Sequence, residues 1–137
     1  MFIVDTNILS GLRRKARVEP RIAAWMESIE PTDLFVSAIT ILEIEIGARL
    51  MARRDAQQGA TLRNWIDNEV LSTFERRILP VDTAVVQKCA ALHVPDKRPE
   101  RDALIAATAL VHSMRVVTRN VKDFEPMGVG IVNPFEA

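Results

Sequence analysis

Five short stretches of this chain, residues 2–4, 34–36, 77–81, 116–117 and 130–132, are almost wholly apolar and lack the in–out alternation of a strand with one wet face. Strands of that kind are buried on both faces, as in parallel sheets covered by helices. Segments with helical spacing separate them. Residues 19–30 place Pro20 in a first turn. Ser37 opens a long helix over 38–54, a further helix surrounds Trp65 over 59–73, and Asp82 reads as the N-cap of a helix ending near His93. The alanine-rich run 101–113 reads as a helix able to lie close on a sheet. Alternating strands and helices predict the α/β class with right-handed crossovers.

A length of 137 residues fits a single domain, 1–137. No apolar run reaches the ~18–20 residues that cross a bilayer, so no membrane role is expected. The start, MFIVDTN, has no basic leader, and Cys89 is the only cysteine, so no internal disulfide forms. Together these lead us to expect a cytoplasmic protein. The formal net charge is zero, which argues against coating nucleic acid by bulk charge. Basic residues nevertheless cluster: Arg13, Arg14, Lys15, Arg17 and Arg21 form one group, and Arg49, Arg53 and Arg54 another. Such groups are either solvated helix faces or phosphate contacts, for which the planar arginine fork is suited.

In open parallel α/β sheets, ligands bind beyond the carboxyl ends of the strands. Asp5-Thr6-Asn7 follows the first strand, and Thr118-Arg119-Asn120 with Asp123 follows the fourth. Glu43 lies early in the helix after the second strand, and Asp102 in the first turn of the helix before the fourth. Each lands near one edge of the sheet. Two carboxylates about 4 Å apart repel by ~4 kcal/mol at an effective dielectric of ~20. Such a site raises its pKa values or holds a cation. All-oxygen ligation suits Mg²⁺ or Mn²⁺. Zinc is disfavoured, because Cys89, His93 and His112 do not form a zinc pattern. Hard cations on carboxylates suit phosphodiester hydrolysis, since they acidify water and neutralise phosphoryl oxygens.

The wording of the chain goes further. IVDTNIL at 3–9, SAITILEIEIG at 37–47, RDALIAATAL at 101–110, VVTRNVKDFE at 116–125 and GVGIVNPF at 128–135 occur in the order and spacing of the PIN-domain family, and the chain resembles its VapC and FitB toxins. The resemblance runs over essentially the whole chain. It implies a three-layer sandwich around a mostly parallel five-stranded sheet, with the first and fourth strands adjacent. It implies a Mg²⁺- or Mn²⁺-dependent endoribonuclease, the toxin of a toxin–antitoxin pair, acting as a homodimer and joined by an antitoxin in a higher assembly. Carried over by residue, it makes Asp5 the central ligand. Asp102 and Asp123 complete metal binding, and Glu43 holds water or a second metal. Thr6, Asn7, Thr118 and Asn120 support the site by hydrogen bonds. Many relatives carry an acid where this chain has Asn120, which bears on a second metal.

Several of these residues have structural readings as well. Asp5 fits a helix cap, Thr40-x-x-Glu43 fits a capping box, Glu45 rivals Glu43, and Asp102 suits any helix N-terminus. Asp82 is assigned to capping, His93 and His112 to ordinary helix positions, and Gly47 to a close approach of two backbones. No arrangement of serine, cysteine and histidine suggests a covalent nucleophile. The aromatic residues are too scattered for a base-stacking platform. Two other functions share the features: a PIN-like module that binds without cutting, and a receiver domain phosphorylated on aspartate. The receiver reading lacks paired acids after the first strand and a lysine after the fifth.

Overall fold

The computed structural model describes residues 1–14 and 17–136, so Lys15 of the first basic group lies outside the described residues. Elements follow the chain as β1 (Phe2–Val4), α1 (Thr6–Gly11), α2 (Pro20–Glu27), β2 (Leu34–Ser37), α3 (Ala38–Arg54), α4 (Ala56–Trp65), a π-helical turn (Ile66–Val70) and α5 (Leu71–Thr73). There follow β3 (Ile78–Leu79), α6 (Thr83–Leu92), α7 (Glu100–Val111), β4 (Arg115–Val117), α8 (Val121–Phe124) and β5 (Ile131–Val132). The strands form one sheet in the order β3-β2-β1-β4-β5, and every pairing is parallel. Phe2 pairs Arg115 and Val4 pairs Val117, so β1 and β4 end level with each other.

Successive side chains of a strand point to opposite faces. Here both faces are dry. Ile3 and Val116 join one core with Val85, Cys89, Phe124 and the alanines of α7. Val4 and Val117 join the other, with Ile8, Ile22, Ile44, Trp65, Ile66 and Phe74. That is why the strands read as unbroken apolar runs, and it makes the fold a three-layer sandwich. Ala103, Ala106, Ala107 and Ala109 are completely buried, so α7 lies against the sheet on side chains of minimal size. Among the described residues no helix is long and apolar enough to cross a membrane.

Local rules fix the boundaries. Ser37 caps α3 by accepting from Ile39 N at 3.0 Å, and Asp82 caps α6 by accepting from Val85 N at 3.0 Å. Pro20 sits at the start of α2. β3 is shorter than the expected 77–81, because Pro80 has no N–H to give a neighbouring strand.

Two expectations change. Gly47 faces open space, so it brings no backbones together. Gly59 does so instead: a Cβ there would fall 2.6 Å from the Ala52 Cβ, across the hairpin of α3 and α4. Glu45 is not a rival at the acidic edge. It grips Arg63 of α4, with Nη1 to Oε1 at 3.1 Å, and Arg63 also holds Asp67 at 2.9 Å. The guanidinium beside Glu45 holds its carboxyl below the usual range.

Candidate functional site

The order of connections reverses between β1 and β4, and in open α/β sheets ligands bind beyond the carboxyl ends of the strands at such a point. Asp5 leaves β1 there and is buried, with 4% of its surface exposed. It does serve as the cap of α1, taking Thr6 N on Oδ1 at 2.8 Å. Its other oxygen receives the Thr118 hydroxyl from the end of β4 at 2.8 Å, with the Asn7 amide more distant at 3.4 Å. Each carboxylate oxygen offers two lone-pair sites. Among the described residues nothing takes the second acceptor position of Oδ1. Capping and a place in the site are not alternatives for this residue.

Thr6 links Asp5 to α3. Its hydroxyl donates to Glu43 Oε1 at 2.7 Å and lies 3.2 Å from Thr40 Oγ1. The capping-box reading of Thr40 and Glu43 fails, since Ser37 caps α3 and Thr40 is wholly buried one turn inside it. Ser37, Thr40 and Glu43 recur every three residues, so they share the face of α3 turned toward β1. That spacing of polar residues in the apolar first turns of the helix was the available signal for Thr40. Glu43 also has Arg101 at 3.9 Å, a partner the sequence reading did not assign.

Asp102 lies half-buried in the first turn of α7, and Asp123 lies exposed in α8. Asn120 is exposed, and its bond at the site is made by its backbone, N to Thr118 Oγ1 at 2.9 Å. Thr118 is held from two sides and is wholly buried, which fixes the hydroxyl that grips Asp5.

The four acids sense one another. Burial pushes the Asp5 carboxyl up, the Thr118 and Thr6 bonds oppose this, and the charges of Glu43 and Asp123 push it further up. Burial, followed by the charges of Asp5, Asp123 and Glu43, pushes Asp102 up to about 6. Among the described residues, no three histidine, cysteine, aspartate or glutamate side chains stand close enough to grip one ion directly. Mg²⁺ keeps several waters and uses only one or two carboxylates, so this all-oxygen set fits a hard divalent cation held partly through water.

The remaining histidines and cysteine stand apart from this edge. His93 ends α6 and accepts from Arg98 N at 3.1 Å, His112 ends α7, and Cys89 is buried and unpaired.

Comparison with known proteins agrees with the architecture. Residues 2–128 match the PIN domain family. Over 141 residues the chain is 33% identical to the VapC ribonuclease Y4jK of Sinorhizobium fredii, covering 99% of each protein. The crystal structure of FitAcB from Neisseria gonorrhoeae superimposes with a TM-score of 0.90 at 30% identity, over the whole of both chains. A toxin–antitoxin complex from Klebsiella pneumoniae follows with a TM-score of 0.68 at 29% identity, covering 98% of each chain. With its parallel sheet, its reversal of strand order between β1 and β4 and these matches, the chain belongs to the PIN domain family, and within it to the type that includes VapC and FitB.

Proposed function

We propose that this chain is a divalent-metal-dependent endoribonuclease and the toxin of a toxin–antitoxin pair. The observation that carries the reading is the bond between Thr118 and the buried Asp5, at an edge where Glu43, Asp102 and Asp123 add their charges. A protein that only needed to be stable would not gather four acids there. The ribonuclease name of the Sinorhizobium relative and the toxin–antitoxin title of the Klebsiella complex support the biological setting.

In this reading Asp5 would hold Mg²⁺ or Mn²⁺, Asp102 and Asp123 would complete the set directly or through water, and Glu43 would hold water at the site. When bound, the cation supplies Lewis acidity toward a phosphodiester and acidifies water. The protein's own part is positional. Thr118 and Thr6 N fix the Asp5 oxygens, so the carboxylate is held in one orientation. Thr6 fixes Glu43 Oε1 in the same way. Glu43 is then placed to take a proton from water.

The antitoxin would cover the acidic edge. Exposed Leu42 and Leu50 with half-buried Ile46 between them on α3 support a homodimer. An RNA substrate and a lone unpaired cysteine suit the cytoplasm. The deciding experiment incubates purified protein with RNA in Mg²⁺, in Mn²⁺ and in chelator. Cutting should need the metal and should vanish in Asp5→Asn. Equal cutting by Asp5→Asn and the parent protein would remove the assignment.

A further inference from the structure

Thr118 holds Asp5, and the next residue, Arg119, is exposed at the same edge of the sheet. Its guanidinium lies over the Phe135 ring, 4.3 Å from the centroid, and Arg21 lies over that ring at 5.1 Å. The two cations differ in their commitments. Arg21 donates from Nη1 to Phe135 O at 2.7 Å and from Nε to Glu19 Oε1 at 2.9 Å. Those bonds pin the 3-10 turn that carries Phe135. Among the described residues Arg119 makes no hydrogen bond or ion pair, so its five N–H donors face solvent. Stacking on a ring occupies the face of a guanidinium and leaves the donor edges free.

Arg119 and Phe135 line a cleft of about 250 Å³ together with Asn7, Arg17 and Glu19. Asn7 joins this cleft to the acidic site, because its amide reaches Asp5 Oδ2. The Glu19 carboxylate is already taken by Arg21. Among the described residues no carboxylate pairs with Arg17 or Arg119, so the cleft carries two uncompensated positive charges beside four acids. A polyanion approaching the acidic edge meets repulsion, and fixed cations one residue away are what offsets it. Phosphate contacts of this kind set the register of a nucleic-acid strand.

We propose that Arg119, held flat on Phe135, forms with Arg17 a phosphate-binding subsite that seats the RNA strand beside Asp5. This rests on the ribonuclease reading and adds the path of the strand. Arg21 belongs to the support of the ring and touches no phosphate.

The test measures binding of a short single-stranded RNA by fluorescence anisotropy across a salt series, in chelator and in the Asp5→Asn background so that nothing is cut. Each phosphate contact contributes about 0.7 to the slope of log K against log salt for a single strand. Arg17→Gln with Arg119→Gln should weaken binding about tenfold or more and flatten the slope by about 1.4. Arg119→Lys keeps the charge and should retain most of the slope. Phe135→Leu also keeps both charges and should weaken binding only a few-fold, by releasing the guanidinium from its plane. An unchanged slope in the double variant overturns the subsite, as does loss of affinity with the slope intact or no measurable RNA binding by the parent. A separate cleavage assay of the unmutated protein keeps the two ideas distinct. Salt-dependent binding through both arginines without any metal-dependent cutting would refute the nuclease and leave the subsite standing.

Discussion

Replacing Asp102 by asparagine should make the metal-free protein more stable, although it removes a residue of the site. Burial and three neighbouring carboxylates raise Asp102 from an ordinary 3.8 to about 6. A group bound more tightly to its proton in the folded state takes up protons on folding between those two values. Stability therefore falls as pH rises through that window, and the folded state carries the whole penalty above about pH 6. The full gap corresponds to about 3 kcal/mol. Asp102 is only half-buried, so solvent screening brings this to about 1–2 kcal/mol. Asparagine also forfeits a favourable charge in the first turn of α7, about 0.5 kcal/mol. The combined cost of burial and repulsion is the larger effect, and the net gain for Asp102→Asn is about 1 kcal/mol, or about 3–5 °C in Tm for a chain of this size. Thermal unfolding in chelator at pH 5.0 and pH 7.5 measures it. The variant should gain more at pH 7.5 than at pH 5.0, and the advantage should shrink when Mg²⁺ is added, because only the parent offers the complete acidic set. An Asp102→Asn protein that melts below the parent in chelator at pH 7.5 would refute the electrostatic argument.

Thr118→Val keeps the shape of a buried side chain but leaves Asp5 Oδ2 with only the long Asn7 bond and Asn120 N without its partner, so urea unfolding should register a loss of about 1–3 kcal/mol. The two glycines of the helical hairpin should respond in opposite directions. Gly59→Ala should destabilise by about 1–3 kcal/mol through its clash with Ala52, whereas Gly47→Ala, in open space inside α3, should stabilise by about 0.5–1 kcal/mol. Ala106→Leu should wedge α7 off the sheet and lose about 1–3 kcal/mol, again by urea unfolding, with the sheet's near-native far-UV signal retained.

What could be read from the chain follows from where each feature is encoded. The strands were legible because Ile3 and Val4 each enter a separate dry core, so both must be apolar and the run is continuous. The ends of α3 and α6 were legible because Ser37 and Asp82 act within three residues of themselves. The gathering of Asp5, Glu43, Asp102 and Asp123 followed from strand ends and helix starts, which topology brings to one edge. Features that depend on pairing between distant elements were not legible. Gly47 and Gly59 are equally plausible contact points until α4 is known to fold back on α3 beside Ala52. Glu45 and Glu43 are two residues apart on a helix, and only the position of Arg63 assigns one to α4 and leaves the other to Thr6. The π turn at Ile66–Val70 and the four-residue α8 leave no periodic trace of their own.

The pairing of β1 with β4 also makes the orientation of Asp5 depend on a distant part of the chain. The carboxylate and the hydroxyl that grips it lie 113 residues apart in sequence. Closing so long a loop costs entropy that the docking of β4 beside β1 repays, so Asp5 takes its final direction only once that pairing has formed. A chain cut short before Thr118 would keep β1 beside β2 and the Thr6 bond to Glu43, but would lack the bond that fixes Asp5 Oδ2.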